Sequence, residues 1–220
     1  MRHTEEEIKT LKTHHIEMWN LVEGQIEKAF QAFITKDKDL ARQVIARERV
    51  VNAQELVVDH HCEDFIALFA PVAIDLRFVI SLLKINNNLE RIGDFAESIA
   101  LFVLYQQKEA LTEELVDKLQ IKEMMGTATT MLEKAREALI NEDSSLAGKV
   151  LSMDDTIDTI NREAVDILAG HIINNPSEVV ELLHINAVIR RLERIGDRIS
   201  NIAEDIVFFV DAKELRHQKK

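Results

Sequence analysis

The hexapeptide LERIGD at Leu89–Asp94 occurs a second time at Leu192–Asp197, 103 residues further along a chain of 220. Upstream of the two copies, Val44–Glu48 and Val150–Asp154 stand in the same order, at an offset of 106 residues. A motif that recurs at an offset near half the chain length is typical of an internal duplication. The sequence therefore predicts two similar halves.

Apolar residues recur at helical spacing through nearly every stretch of the chain. In the first segment these residues are Ile8, Leu11, His15, Met18, Val22, Ile26, Phe30 and Phe33. Intervals of three and four residues are typical of amphipathic helices. The chain has only six glycines and two prolines, too few for the turns of most all-β folds. We predict an all-α protein.

A few interruptions divide the chain into six predicted long helices. The charged cluster Lys36–Asp39 separates the first helix from the second, and Pro71 opens the third. Thr112 is placed to cap a fourth helix that lasts to about Ile140, and Pro176 opens the sixth. Each helix has roughly 30 residues and is about 45 Å long.

Short connections between long helices make sequential neighbours antiparallel, and this favours two up-down bundles of three helices each. The internal duplication supports the same division. We predict a first three-helix bundle at residues 1–108 and a second at residues 109–220.

The chain carries 39 acidic and 27 basic residues, which gives a formal net charge of −12. This balance argues against direct binding to nucleic acid, whose phosphate backbone is negative. One cysteine cannot form an intramolecular disulfide, and the longest uncharged runs have about ten residues, too few to cross a bilayer. We expect a cytoplasmic protein that contacts a membrane, if at all, by peripheral docking at its inner face.

Two acidic residues lie four positions apart in each copy of the hexapeptide. Glu90 and Asp94 form the first pair, and Glu193 and Asp197 form the second. Residues at this spacing share one face of a helix, so the two carboxylates repel each other unless a cation lies between them. Their oxygen donors suit magnesium, manganese, calcium or iron, and zinc is a further candidate.

A second reading of these acids is open, because several arginines lie close to them in sequence and could form solvated salt bridges. The glycine in each hexapeptide favours the metal site. A glycine inside a helix costs roughly 1 kcal/mol relative to alanine, and its usual benefit is the close approach of another backbone. We therefore predict tight helix crossings at Gly93 and Gly196, beside poorly solvated carboxylates.

The two LERIGD copies, each in the third helix of its half, resemble the PhoU family over essentially the whole chain. Pro71–Ala73 leading to Asp75–Arg77, and Asn201–Glu204 after the second copy, are similar to further family segments. The resemblance implies a regulator that is not an enzyme. It implies partners too: the ATPase subunit of the phosphate ABC transporter and a sensor histidine kinase whose regulon is kept off when phosphate is plentiful. We also expect a homodimer.

The resemblance implies metal ions, among which iron, zinc, magnesium and manganese are candidates. The metal-binding positions it assigns are Glu90, Asp94, Asp154, Asp158, Glu193 and Asp197, to which the duplication adds Glu48. The first half departs from the pattern because Asn52 stands where the second half has Asp158. An amide is a weaker donor than a carboxylate, so we predict weaker metal binding, or fewer ions, in the first half.

Other functions are compatible with the residues. A carboxylate-bridged metal pair could activate water for phosphoester hydrolysis, and an oligomeric helical scaffold would explain the periodicity without any metal. Further candidate ligands are His60 with Asp64, and His184, although a surface helix end with Cys62 packed as a small apolar group is the simpler reading of the first pair.

Overall fold

The computed structural model describes residues 2–106, 112–213 and 215. The helices are α1 (Arg2–Thr35), α2 (Lys38–Phe69), α3 (Ala73–Tyr105), α4 (Glu113–Lys118), α5 (Ile121–Asn141), α6 (Ser144–Asn174) and α7 (Val179–Asp211). A short 3₁₀ helix, Pro176–Glu178, precedes α7. No strand occurs in the part of the chain described, which confirms the all-α prediction. Within the same residues, no helix combines the length and the apolarity needed to cross a bilayer.

Side-chain caps fix the starts of α2 and α4. Asp37 Oδ1 accepts hydrogen bonds from the backbone N–H groups of Asp39 and Leu40, both at 2.9 Å, where α2 begins. Thr112 Oγ1 accepts from the N–H of Leu115 at 3.2 Å at the start of α4. Each cap satisfies N–H groups that have no partner inside the helix, so the predicted role of Thr112 as a cap is confirmed.

The fourth predicted helix is wrong in one respect, because it is broken into α4 and α5. Gln120 lies in the left-handed region, with φ of 51°, between Lys118 and Ile121. The break lets both Leu119 and Ile121 become fully buried, and burial of two large aliphatic side chains outweighs the cost of one left-handed residue.

Two other helix ends differ from the prediction. The third helix begins at Ala73 rather than at Pro71, because Val72 is extended, with φ of −128° and ψ of 160°. The last helix ends at Asp211 rather than near Leu215, since Ala212 turns into the left-handed region with φ of 56° and donates its N–H to Phe208 O at 3.0 Å.

The helices form two sets of three, packed in every pairwise combination: α1 with α2 and α3, and α5 with α6 and α7. Each set buries an apolar core, which in the first includes the single tryptophan, Trp19. The predicted boundary between residues 108 and 109 lies outside the described residues and stays a prediction.

The two sets are joined by α3 and α7, which pack side by side in opposite directions. Phe78 near the start of α3 contacts Phe209 near the end of α7, with ring centroids 5.1 Å apart. Further along, Lys84 Nζ lies 3.5 Å from Asp205 Oδ1. The antiparallel packing relates the duplicated halves by an approximate two-fold axis. We call the contact between α3 and α7 the seam, and equivalent residues of the two halves lie at its opposite ends.

Candidate metal centre

Each hexapeptide glycine lies directly beneath an acidic residue of the preceding long helix. A β-carbon on Gly93 would lie 3.2 Å from Val51 Cγ1 and 3.3 Å from Glu48 Oε1. A β-carbon on Gly196 would lie 2.7 Å from Asp154 Oδ1. The predicted close crossings occur in both halves, but the atoms nearest to each glycine belong to side chains of the neighbouring helix and not to its backbone.

Glu48 is the buried carboxylate of the first crossing and is 4% exposed. Gln25 on α1 donates its Nε2 to Glu48 Oε2 at 2.9 Å and to Val44 O at 3.0 Å. Glu48 Oε1 is buried without a hydrogen-bond partner among the residues described. The pKa of Glu48 is raised to about 7, chiefly by burial and also by repulsion from nearby carboxylates, while the Gln25 hydrogen bond acts to lower it.

The carboxylates that act on Glu48 come from α3 and are Glu97, Asp94 and Glu90. The pKa of Glu90 and that of Glu97 are each raised, first by burial and then by repulsion from Asp94. Arg91 offsets part of this charge, since its Nη1 lies 3.1 Å from Asp94 Oδ2. Glu48, Glu90, Asp94 and Glu97 therefore form one electrostatic unit, which we call the first acidic face.

Asp154 holds the equivalent position in the second half and is 5% exposed. Ser200 on α7 donates its hydroxyl to Asp154 Oδ2 at 2.9 Å. The buried acid is thus oriented from α7 in this half, whereas Gln25 of α1 orients Glu48 in the first half.

The rest of the second half brings Asp158 of α6 to the acidic pair of α7. Burial raises the pKa of Glu193, and repulsion from Asp197 and Asp158 raises it further, while Arg194 and Arg190 lower it. Asp154, Asp158, Glu193 and Asp197 are called the second acidic face below. The two faces are named after the seven carboxylates predicted from the sequence together with Glu97, and their role as metal ligands stays a prediction.

The carboxylates do not, however, converge on one point. Among residues 2–106, 112–213 and 215, no group of three His, Cys, Asp or Glu side chains is arranged to hold a metal ion. The donor chemistry and the orphan oxygen of Glu48 fit a hard cation. Coordination by three or more of these oxygens would require side-chain rotation.

Sequence reasoning missed Glu97 of the first acidic face and the two residues that hold the buried acids, Gln25 and Ser200. Glu97 stands three positions after Asp94 and seven after Glu90, so helical spacing would have placed it on the same face. Ser200 stands at the equivalent position of the second half, 103 residues later. Gln25 carries no such signal, because its contact with Glu48 depends on how α1 and α2 are aligned along their length. With Glu97 counted, the first face also has four carboxylates, despite Asn52.

The histidine candidates lie apart from the faces. His60 Nδ1 lies 2.6 Å from Leu56 O of its own helix, and no described contact joins it to Asp64. His184 lines a groove between α3 and α7. Cys62 is fully buried, which confirms its predicted packing, and burial raises the pKa of its thiol to about 12.

Two duplicated three-helix units, each with an acidic residue packed on a glycine of the neighbouring helix, define a class of helical proteins built from tandem repeats. The chain belongs to the PhoU family. The model of the PhoU domain matches it twice, at residues 16–103 and 121–206, so each match falls within one predicted half.

Relatives with this architecture match nearly the whole chain. The phosphate-specific transport system accessory protein PhoU homolog of Pseudomonas aeruginosa is 32% identical over 211 residues, which cover 96% of this chain and 86% of the relative. The accessory protein PhoU of Escherichia coli is 32% identical over 215 residues, with the same coverage. The crystal structure of the phosphate transport system regulatory protein PhoU from Streptococcus pneumoniae superimposes with a TM-score of 0.87 at 26% identity, covering 96% and 99% of the two chains.

Proposed function

We propose that this chain is a regulatory accessory protein of phosphate uptake and is not an enzyme. The observation that carries the proposal is that both halves match the PhoU domain and that the full length aligns with proteins named for the phosphate-specific transport system. Such a protein acts by stoichiometric contact rather than by turnover.

The proposed contacts are with the ATPase subunit of a phosphate ABC transporter and with a sensor histidine kinase, whose regulon the protein keeps off when phosphate is plentiful. The protein works in the cytoplasm as a homodimer and docks peripherally at the membrane through these partners. The net charge of −12 supports protein partners over nucleic acid.

Metal binding at the two acidic faces is the second part of the proposal. The residues that would hold iron, zinc, magnesium or manganese are Glu48, Glu90, Asp94 and Glu97 in the first face and Asp154, Asp158, Glu193 and Asp197 in the second. Mutual repulsion and burial, which raise the pKa of Glu48, Glu90 and Glu193, support it because a bound cation relieves both.

A cation on either face would couple two helices of one bundle, since each face draws its acids from both sides of a glycine crossing. Metal occupancy would then set how firmly α2 is held to α3, and α6 to α7. We propose that this change in rigidity alters the surface that a partner meets.

The metal part is tested by elemental analysis of protein purified without a metal-affinity tag. The test variant replaces the four acids of the second face with their amides: Asp154→Asn, Asp158→Asn, Glu193→Gln and Asp197→Asn. Bound metal should fall while the helical content measured by circular dichroism is retained. Unchanged metal content in this variant, or none in the parent protein, would exclude the second face as a metal site.

The regulatory part has its own test, namely a reporter of phosphate-responsive transcription in a strain that lacks the gene. The chain should restore repression in phosphate-rich medium and should co-purify with the transporter ATPase. Turnover on a panel of phosphoesters with added manganese or magnesium would instead support the hydrolase reading. If a protein shown to be metal-free still represses transcription, metal is not required for regulation and has at most a structural role.

A further inference from the structure

An open groove of about 520 Å³ lies between the end of α3 and the beginning of α7. Its walls include Phe102 and Tyr105 from α3, and Val180, His184, Val188 and Arg191 from α7. Its volume lies within the range of ligand-binding clefts. No residue of either acidic face lines it, so the groove is separate from the candidate metal centre.

The opposite end of the α3 and α7 seam, related to the groove by the duplication, is filled. There the rings of Phe78 and Phe209 lie 5.1 Å apart. The ammonium of Lys84 lies 5.0 Å from the ring centroid of Phe208 and 3.5 Å from the carboxylate of Asp205. An aromatic contact and an ion pair between the half-buried Lys84 and the buried Asp205 therefore close this end.

The groove exists because the second copy lacks the side chains that close the first. At the repeat offset of 103 residues, Glu181 replaces Phe78 and Ala187 replaces Lys84. On the facing wall, Gln106 stands at the position equivalent to Phe209. The aromatic pair and the long cation are thus absent at this end, and their volume is left open between the two helices.

Arg191 gives the groove a positive end. Its Nη1 donates to Ala187 O at 2.9 Å. None of the ion pairs formed among residues 2–106, 112–213 and 215 includes this guanidinium. An arginine beside apolar walls and without a carboxylate partner is complementary to an acidic group. Ser98, which lines the groove from α3, carries no charge, and the one acid among the described residues of the lining, Glu181, stands ten positions before Arg191 on α7.

Apolar side chains of the lining are themselves open to solvent at the other end of the groove. Tyr105 is 71% exposed and Val180 is 57% exposed. The α7 wall from Glu181 to Arg191 is about 15 Å long at 1.5 Å per residue. A long open groove that extends into exposed apolar side chains suits a macromolecular segment better than a small molecule.

We propose that this groove is a docking site for an amphipathic helix of a partner protein, which packs apolar or aromatic side chains against Phe102 and Tyr105 and places a carboxylate on Arg191. The inserted side chains take the volume that Phe78 and Lys84 fill at the other end of the seam. The carboxylate of the partner helix pairs with Arg191, as Asp205 pairs with Lys84 at the other end. The site stands independently of phosphate regulation and of metal binding.

The test uses fluorescently labelled helical peptides of about 14 residues, a length that spans the groove. Two peptides carry the same stripe of phenylalanine and leucine and differ only in a Glu or a Lys at the end of the stripe. Fluorescence anisotropy with the full-length protein should show binding of the Glu peptide and weaker binding of the Lys peptide. Binding of both peptides with equal affinity, or of neither at about 1 mM protein, would overturn the proposal.

Three variants locate the binding. Arg191→Gln should weaken the Glu peptide about tenfold, the effect of losing one charge-assisted pair, and Ala187→Phe should abolish binding by filling the groove. Val180→Glu, at an exposed position that does not affect folding, should also weaken it. Arg190→Gln is the matched control, because the neighbouring arginine does not line the groove, and it should leave the affinity unchanged.

Other results would reject a partner helix. Equal losses in the Arg190 and Arg191 variants would show that the peptide responds only to net charge. Light scattering provides the remaining outcome: if Ala187→Phe converts a dimer into a monomer, the groove is filled by a second copy of this chain, and the proposal of a partner helix is wrong.

Discussion

Asp154 Oδ1 lies 2.7 Å from the point that a β-carbon on Gly196 would occupy. The same carboxylate accepts a hydrogen bond from Ser200 at 2.9 Å through its other oxygen. The acid is therefore held between the glycine backbone below it and the hydroxyl beside it. The equivalent contact at Gly93 is looser, since Glu48 Oε1 lies 3.3 Å away and belongs to a longer side chain.

Alanine at the two crossing glycines should have unequal effects. Gly196→Ala is expected to lower the free energy of unfolding by about 1–2 kcal/mol, because the new methyl group displaces Asp154 from Ser200. Gly93→Ala should stay within about 0.5 kcal/mol of the parent, because the helix propensity of alanine offsets the small shift of Glu48. Urea denaturation measures both.

The control for these variants is Gly126→Ala on α5, where a β-carbon would have nothing within 4 Å. It should stabilise the protein by about 0.5–1 kcal/mol through helix propensity alone. If Gly196→Ala proved as stable as Gly126→Ala, the crossing would not be as tight as the distance indicates.

Glu48→Gln should stabilise the metal-free protein at alkaline pH. Because the pKa of Glu48 is raised from 4.5 to about 7, the folded state binds more protons than the unfolded state between these values, and stability falls as pH rises through this window. The amide removes that penalty while it can still accept the Gln25 hydrogen bond. We expect the variant to be about 1–3 kcal/mol more stable at pH 8 and nearly equal to the parent near pH 4.5.

The measurement is urea denaturation in the presence of a chelator at both pH values. Glu97→Gln, which alters a more exposed member of the first acidic face, is the comparison and should have a smaller effect. A parent protein whose stability relative to Glu48→Gln is the same at pH 4.5 and pH 8 would show that Glu48 does not titrate in this window.

His15 should produce the opposite pH dependence. It is 2% exposed, neither ring nitrogen has a hydrogen-bond partner among the described residues, and burial lowers its pKa from 6.5 to about 4. The unfolded state binds the extra proton between these values, so the contribution of His15 to stability is present above pH 6.5 and is lost as pH falls towards 4. Between pH 6.5 and pH 4, the free energy of unfolding of His15→Phe should therefore fall by about 2–3 kcal/mol less than that of the parent.

Phenylalanine keeps an aromatic ring beside Trp19, whose ring His15 contacts edge-on with centroids 5.9 Å apart. Denaturation at pH 7 and pH 4, beside the control His60→Gln at an exposed position, separates the buried histidine from general acid effects. Identical pH profiles for His15→Phe and the parent would contradict this assignment.

Glu97 should matter for metal in the first half. Replacing it with serine, the residue at the equivalent position 200 of the second half, removes a carboxylate that acts on Glu48. Glu97→Ser should weaken metal binding by the first acidic face by about tenfold or more and leave the second face unchanged. Isothermal titration with manganese in a background that lacks the second-face carboxylates measures the first face alone.

The reverse substitution, Asn52→Asp, tests the prediction that Asn52 makes the first face the weaker one. It should strengthen binding in the same background. If Asn52→Asp has no effect and Glu97→Ser is strongly damaging, the carboxylate at position 97 is the one that decides the affinity of the first face.

The all-α fold could be predicted from the sequence because the patterns that indicate it occur in both halves. Apolar periodicity identified the helices, and the hexapeptide with its glycine marked both crossings. The break at Gln120 was missed because no glycine or proline accompanies it. Its one trace in the sequence is that Leu119 and Ile121 are both apolar although they are two positions apart, a spacing that would place them on opposite sides of a continuous helix. The burial of both side chains is the tertiary cause of the break.

The acidic residues were predicted better than their surroundings. Spacing on one helix identified Glu90 with Asp94 and Glu193 with Asp197, because residues four apart share a face. The pairing of Gln25 with Glu48 depends on the register between two helices, which the sequence does not fix. The difference between a set of acids that repel one another and a set that converges on an ion depends on rotamers, which spacing does not determine either.

The duplication within a single chain frees the two halves from the constraint that symmetry places on a homodimer. A dimer of identical three-helix units would carry two identical acidic faces and two identical ends of the seam. Here one buried acid is a glutamate held by Gln25 and the other is an aspartate held by Ser200, and a mutation in one copy leaves the other untouched. Covalent linkage of the copies keeps two specialised units in a fixed one-to-one ratio. One end of the contact between α3 and α7 can therefore evolve as a packed aromatic contact while the other end evolves as a binding groove.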